Sequence, residues 1–127
     1  MINLHIIIIF CFGFILSQDI FTEYLIINQD TLDVFSYQTP ENYSNNNLVP
    51  LLVAFHQWGG NENSNYYTEF DEESNERGWF FLSPFGGSTN NYSHQQAQFF
   101  FEQEIIWMLD NYPIDNKRIY MVGGSMG

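Results

Sequence analysis

The sequence predicts an α/β fold with a mostly parallel sheet, an antiparallel leading hairpin and crossover helices. Two short runs of β-branched and aromatic residues stand close together near the start and are typical of a hairpin. Beyond residue 48, apolar runs of strand length alternate with segments of helical periodicity. The order strand, helix, strand, helix, strand indicates parallel strands joined by helices on the faces of the sheet.

The predicted strands follow from local composition. Residues 24–28 and 32–37 form the hairpin strands, with a polar turn over 28–31 between them. Three later runs are short and strongly apolar, as expected of strands buried on both faces. These runs are residues 49–55, 79–83 and 117–122.

The predicted helices lie between the apolar strands. Residues 65–77 can form a helix with Tyr66, Tyr67 and Phe70 turned inward, and Gly78 is a natural stop. Residues 94–111 have the clearer pattern, because apolar residues recur there at spacings of three and four and make one stripe. The stripe consists of Ala97, Phe101, Ile105, Met108 and Tyr112, and Pro113 ends the helix.

The chain of 127 residues begins with an apolar segment that has the composition of a targeting signal. Residues 4–16 contain no Asp, Glu, Lys or Arg, and the run is shorter than the roughly 20 residues that a membrane-spanning helix needs. We predict a signal peptide over residues 1–17, cleaved near Ser17, and part of one folded domain over residues 18–127. The predicted protein is secreted or lies in the secretory lumen, without membrane attachment after cleavage. A signal anchor or a buried strand is the alternative.

Composition excludes several classes of protein. With 15 acidic and 3 basic residues the net charge is −12, which repels phosphate backbones and excludes a nucleic-acid partner. A hydrophobic content of 45% excludes a disordered acidic tail. The single cysteine, Cys11, cannot form an internal disulfide. Because no metal-ligand spacing or phosphate-binding glycine loop is present, we predict no cofactor and no metal.

Two N-x-S sequons fit a secreted protein. They make Asn42 and Asn91 candidates for glycosylation, and both lie in polar stretches that we expect to form surface loops.

The strongest motif is G-x-S-x-G, formed by residues 123–127 directly after the third apolar strand. A nucleophilic serine in this pattern sits on a sharp strand-to-helix turn. Gly123 and Gly127 let such a turn pack without side-chain clashes. We predict Ser125 as the nucleophile and the Met126 backbone N–H as a donor to the oxyanion of acyl transfer. The alternative is an ordinary glycine turn.

A second loop has the composition of an oxyanion-hole loop. Residues 56–60, which read His-Gln-Trp-Gly-Gly, follow the strand at 49–55. Hydrolases with a G-x-S-x-G turn draw a second N–H from the loop at this place, often from an HG-type motif. A plain Gly-Gly turn is the alternative.

Three segments, residues 50–60, 74–84 and 114–127, resemble the N-terminal half of α/β-hydrolases. They are most similar to secreted esterases grouped with poly(3-hydroxybutyrate) depolymerases and feruloyl esterases. The resemblance implies that Ser125 forms the acyl-enzyme, and that the backbone N–H groups of Met126 and Trp58 bind the oxyanion. His56 would hold the loop, with Gly59 and Gly60 as support. Gln57 stands where the family usually has glycine.

The predicted function is therefore that of a secreted serine esterase, which hydrolyses carboxylic esters through an acyl-serine intermediate. The ester would belong to a polyester or to a feruloylated or acetylated polysaccharide. A peptidase of the prolyl oligopeptidase type or an acyltransferase on the same fold is one alternative, and a non-catalytic binding module is another. Since the Asp and His of such a triad follow the serine, we interpret the chain as part of a longer domain and expect it to be inactive alone.

Overall fold

The computed structural model describes residues 18–127, so the predicted signal peptide over 1–17 lies outside the described residues. Within residues 18–127 there are five strands and two helices. In chain order they are β1 (Ile20–Ile27), β2 (Asp30–Gln38), β3 (Val49–Phe55), α1 (Glu69–Glu76), β4 (Phe80–Pro84), α2 (Gln95–Asn111) and β5 (Ile114–Gly123). Neither of these helices is long and apolar enough to cross a bilayer.

The strands form one mixed sheet in the order β1-β2-β4-β3-β5. Strand β2 pairs antiparallel with both β1 and β4, whereas β3 is parallel to β4 and to β5. The predicted fold class, a mostly parallel sheet with an antiparallel leading hairpin, is confirmed. Because β3, β4 and β5 are parallel, the loops that follow them leave the sheet at the same edge.

The leading hairpin closes more tightly than the predicted turn over 28–31. Asn28 and Gln29 are its two turn residues, with φ of 53° and 72°, and Ile27 pairs directly with Asp30. Two consecutive left-handed residues match the right-handed twist of the flanking strands.

Apolar residues cover both faces of the sheet. On the α2 face a core of buried residues contains Phe35, Tyr37, Leu51, Val53, Phe80, Leu82, Met108 and Ile114. The opposite face carries a smaller cluster of Ala54, Tyr66 and Phe81. The predicted stripe of α2 is confirmed, because Ala97, Phe101 and Met108 are buried. Alternation along β3 therefore divides its side chains between two apolar layers.

Helix α1 is shorter than predicted, and the expected inward orientation of two aromatic residues is wrong. Tyr67 is 80% exposed and Phe70 is 41% exposed. The helix begins after Thr68, because the Asp71 carboxylate accepts the N–H groups of Tyr67 and Thr68 at 2.9 and 2.7 Å. This capping box and the left-handed backbone at Tyr67 (φ 60°) prevent the helix from extending to residues before Thr68. The buried side chains of α1 are those of Asp71 and Ser74.

Candidate active site

Ser125 lies on a tight turn directly after β5. Its φ is 63°, a left-handed conformation that costs a residue with a Cβ about 1–2 kcal/mol. A hydrogen bond from the Gly127 N–H to the Gly124 carbonyl, 3.2 Å long, closes the turn. Ser125 is exposed. The backbone is thus strained at the residue that the sequence singles out, and strain of this kind is typical of functional sites.

The two outer glycines of the motif are required by close approach of the backbone. A Cβ on Gly123 would lie 2.3 Å from the carbonyl carbon of Gly127. A Cβ on Gly127 would lie 2.6 Å from the carbonyl oxygen of Phe55. By contrast, a Cβ on Gly124 would meet no atom within 4 Å. The turn therefore closes on itself only because Gly123 has no side chain, and it packs against the end of β3 only because Gly127 has none.

The loop at residues 56–60 lies beside this turn and is held through His56. The imidazole is 2% exposed. Its Nδ1 lies 2.9 Å from the Gln57 carbonyl oxygen and its Nε2 lies 2.8 Å from the Phe85 carbonyl oxygen. The ring nitrogen that carries the proton donates one of these bonds. His56 thus contacts backbone carbonyls of its own loop and of the segment after β4, and no hydrogen bond links it to Ser125 within the described residues.

Two further hydrogen bonds shape the same loop. The Gly60 N–H donates to the Gln57 carbonyl at 2.9 Å, and the Gly59 N–H donates to the Thr89 carbonyl at 2.7 Å. Gly59 has a left-handed φ of 81°. The backbone at Gln57 is not left-handed, and its side chain is exposed. A residue other than glycine is therefore accommodated at this position without backbone strain.

Two backbone donors remain available at the candidate site. Over residues 18–127, neither the Trp58 N–H nor the Met126 N–H donates to another backbone group. The Trp58 indole is 64% exposed. Donors without an internal partner are what an oxyanion hole requires, so both positions that the sequence predicted stay candidates for that role.

A cavity of about 210 Å³ adjoins the turn and the loop. Phe55 and Phe70 line its apolar part, whereas Gln57, Ser64 and Thr68 supply polar groups, and Gly124 borders it. A larger cavity of about 730 Å³ lies along α2 and reaches Met121 of β5. Of these two cavities, only the smaller one is lined by residues of both candidate loops, Gln57 and Gly124.

The remaining histidine of the described chain has a local role. His94 is exposed and caps α2, since its Nδ1 accepts the Ala97 N–H at 3.0 Å. Between residues 18 and 127, no hydrogen bond joins the Ser125 hydroxyl to a histidine or a carboxylate. The same part of the chain contains no group of three or more His, Cys, Asp or Glu residues that could hold a metal.

The two glycosylation candidates differ in exposure. Asn42 is exposed, in agreement with a surface loop. Asn91 is only 4% exposed, and its amide donates to the Phe85 carbonyl at 2.9 Å. The expectation that Asn91 lies on the surface is wrong, because its side chain is turned inward and forms hydrogen bonds within the loop at residues 85–91. A glycan on the folded domain therefore has room at Asn42 and not at Asn91.

A buried carboxylate beside the loop that follows β4 was not predicted from the sequence. Asp33 of β2 is 6% exposed, and it accepts the consecutive N–H groups of Gly86 and Gly87 at 2.7 and 3.0 Å. Both glycines are left-handed, with φ of 74° and 79°. Successive backbone N–H groups that converge in this way form an anion-binding concavity. The pair Gly86-Gly87 shortly after β4 was the sequence feature that could have indicated this cluster of backbone N–H groups.

Glu104 is a second buried carboxyl group that the sequence reading missed. It is fully buried, and neither of its oxygens has a hydrogen-bond partner among the described residues. Burial raises the pKa of Glu104 to about 10, and the negative charge of the nearby Asp33 contributes to the rise. Its position was a visible signal, because it lies between Phe101 and Met108 on the apolar stripe of α2.

The buried Glu104 predicts a stability that depends on pH. The folded state keeps the proton up to about pH 10, whereas the unfolded chain releases it near pH 4.3. The stabilisation by the neutral carboxyl is therefore complete at acidic pH and is lost as pH rises toward 10. Glu104→Gln should raise the free energy of unfolding at pH 9 by more than about 1 kcal/mol, with less effect at pH 5. Thermal unfolding at both pH values measures this difference.

Glu102→Gln is the matched control for this measurement. It removes one carboxyl from the exposed side of the same helix. Parallel dependence of Tm on pH in wild type, Glu104→Gln and Glu102→Gln would contradict the prediction.

Comparison with known proteins identifies the fold through solved structures. No family model matches the chain, and no curated protein matches its sequence. The fluorophosphonate-binding serine hydrolase F of Staphylococcus aureus superposes with a TM-score of 0.70 at 15% identity, covering 86% of this chain and 48% of that one. Acetyl xylan esterase from Aspergillus awamori gives a TM-score of 0.67 at 15% identity, with coverages of 85% and 43%.

A third similar structure is a CE1 ferulic acid esterase from Anaeromyces mucronatus. Its TM-score is 0.57 at 13% identity, and the match covers 87% of this chain and 49% of the esterase. The chain thus spans about half the length of the solved structures that it matches. The described residues have the fold of one half of an α/β-hydrolase, similar to that of serine esterases.

Proposed function

We propose that the chain supplies the nucleophile and the oxyanion hole of a secreted serine esterase. The observation that carries this proposal is the left-handed backbone of Ser125 (φ 63°), on a turn whose two outer glycines have no room for a Cβ. Such a turn raises a serine hydroxyl above the carboxyl edge of a parallel sheet. The similarity of the fold to serine esterases supports the same reaction class.

In the proposed reaction, Ser125 Oγ attacks the carbonyl carbon of an ester while a base takes its proton. The carbonyl oxygen becomes negative and accepts the N–H groups of Met126 and Trp58. Collapse of this intermediate breaks the ester C–O bond, and the protonated base gives its proton to the leaving alcohol, which leaves an acyl-serine. Water, deprotonated by the same base, then attacks the acyl group and releases the free acid, and the proton returns to Ser125 Oγ. The base belongs to the part of the triad that follows the serine in chain order.

We propose that the substrate is an ester carried by a polymer, either an acylated polysaccharide or a polyester. The similar structures include an acetyl xylan esterase and a ferulic acid esterase, which favours acetyl or aromatic acyl groups. The apolar signal-like segment at residues 4–16 supports secretion.

Fluorophosphonate labelling of the protein produced from its complete coding sequence tests this proposal. The reagent phosphonylates an activated serine, and peptide mapping by mass spectrometry should place the adduct on Ser125. Heat-denatured protein is the control, since an unactivated serine should not react. Absence of an adduct on the native protein, or an adduct only on another serine, would reject Ser125 as the nucleophile.

A further inference from the structure

The loop between β4 and α2, residues 85–91, holds the oxyanion loop of the proposed esterase from one side. The Phe85 carbonyl oxygen lies 2.8 Å from His56 Nε2. The Thr89 carbonyl accepts the Gly59 N–H at 2.7 Å. Residues 85–91, called the clamp loop below, therefore hold a residue on each side of Trp58.

Asn91 ties the two ends of the clamp loop together. Its Nδ2 donates to the Phe85 carbonyl at 2.9 Å and to the Ser88 carbonyl at 3.3 Å, and it lies 3.4 Å from His56 Nε2. The carbonyl oxygen that faces His56 is thus the one that Asn91 also contacts. The clamp loop has little freedom to move without moving His56.

Asp33 of β2 connects the clamp loop to the sheet by hydrogen bonds. Its two carboxylate oxygens each accept one N–H, from Gly86 and from Gly87. The backbone there is also confined by packing, because a Cβ on Gly86 would lie 2.6 Å from the Phe101 ring. Hydrogen bonds to a carboxylate are stronger than neutral ones, so this anchor outweighs an ordinary turn contact.

The charge environment of Asp33 points to a positional role. In the described part of the chain, the two salt bridges are Arg77–Glu73 and Arg118–Asp115, so neither arginine is paired with Asp33. The neighbouring Glu104 is neutral at physiological pH because burial holds its pKa at about 10. The carboxylate of Asp33 is therefore balanced by backbone N–H groups. Keeping a charge buried is costly, and here the charge orders one particular loop.

We propose that Asp33 is a positioning residue for the oxyanion hole, acting through Gly86 and Gly87 on the clamp loop and thence on the Trp58 N–H. Trp58 lies two residues after His56 and directly before Gly59, both of which the clamp loop contacts. The direction of its N–H consequently depends on where that loop is held. This inference rests on the proposed esterase function and identifies a residue that the G-x-S-x-G and HG-type motifs do not include.

Steady-state kinetics of Asp33 variants, made in the protein produced from its complete coding sequence and assayed on a soluble nitrophenyl ester, tests the proposal. Asp33→Ala removes both acceptor oxygens and should lower kcat about 10- to 100-fold. KM should change less than about 3-fold, because the lost interaction acts on the transition state. Asp33→Asn keeps the shape and one acceptor oxygen, so it should fold and lose kcat to a smaller extent.

Tyr37→Phe is the matched control, since Tyr37 lies on the same strand and the same face. Its hydroxyl accepts a hydrogen bond from Tyr112 at 2.9 Å, and within residues 18–127 neither of these two side chains makes a hydrogen bond to the clamp loop. This variant should lower Tm and leave kcat unchanged. The comparison separates a positioning effect from a general loss of stability.

The outcomes are distinguishable. A lower kcat at constant KM in both Asp33 variants, with wild-type kcat in Tyr37→Phe, supports the proposal. Unchanged kcat in the Asp33 variants, or a fall in kcat that Tyr37→Phe reproduces at equal loss of Tm, overturns it and leaves the esterase function standing. A wild-type protein that neither hydrolyses esters nor reacts with fluorophosphonate at Ser125 rejects the proposed function and this inference together.

Discussion

Replacing Ser125 with alanine in the protein produced from its complete coding sequence is expected to lower ester hydrolysis by at least about 10³-fold, because no acyl-enzyme can form without the hydroxyl. The fold should persist, since the hydroxyl is exposed and makes no hydrogen bond within residues 18–127. Initial rates on a short-chain nitrophenyl ester, measured beside circular dichroism of the same sample, separate lost chemistry from lost structure. Turnover that survives in Ser125→Ala would mean that another group is the nucleophile.

The left-handed backbone adds a second expectation at the same residue. With φ of 63°, an alanine at position 125 is strained, whereas glycine adopts this conformation without a steric penalty. Ser125→Gly should therefore be as inactive as Ser125→Ala but more stable, by roughly 0.5–1 kcal/mol. Urea unfolding of the two variants measures the difference. Equal stabilities would show that the turn is not strained at this position.

Gly123→Ala is expected to disrupt the same turn by steric conflict. The added Cβ would lie 2.3 Å from the carbonyl carbon of Gly127 and 2.8 Å from its oxygen, distances that real Cβ contacts do not reach. Since the opposing atoms are backbone atoms, they cannot rotate away, and the turn must open. We expect a loss of about 1–3 kcal/mol in the free energy of unfolding and a fall of about 10²-fold in the rate of fluorophosphonate labelling.

Gly124→Ala is the control for the stability part of this prediction. It adds the same methyl group one residue later, where no atom lies within 4 Å and the backbone is not left-handed. Its free energy of unfolding should stay within about 0.5 kcal/mol of wild type. Equal destabilisation by Gly123→Ala and Gly124→Ala would remove the steric explanation of the G-x-S-x-G spacing.

Element bounds were predicted well where local sequence sets them and less well where contacts between distant residues set them. Strand β3 has the predicted bounds, because a continuous apolar run ending before a glycine loop leaves few alternatives. The prediction for β5 began three residues too late, because Ile114 pairs with Val49 and extends the strand. Helix α1 was predicted too long, although Thr68 and Asp71 are a capping pair that the sequence displays.

Local sequence was enough to predict the order and type of the elements and the place of the G-x-S-x-G turn after β5, because the five residues of that motif are consecutive in the chain. It could not determine the strand order β1-β2-β4-β3-β5, which depends on pairing between distant segments. Nor could it determine the anchor of the clamp loop, where Asp33 reaches a backbone N–H 53 residues away. Only the tertiary structure brings that carboxylate, the neutral Glu104 and the His56 loop together, because burial and long-range hydrogen bonding leave no periodic pattern along the chain.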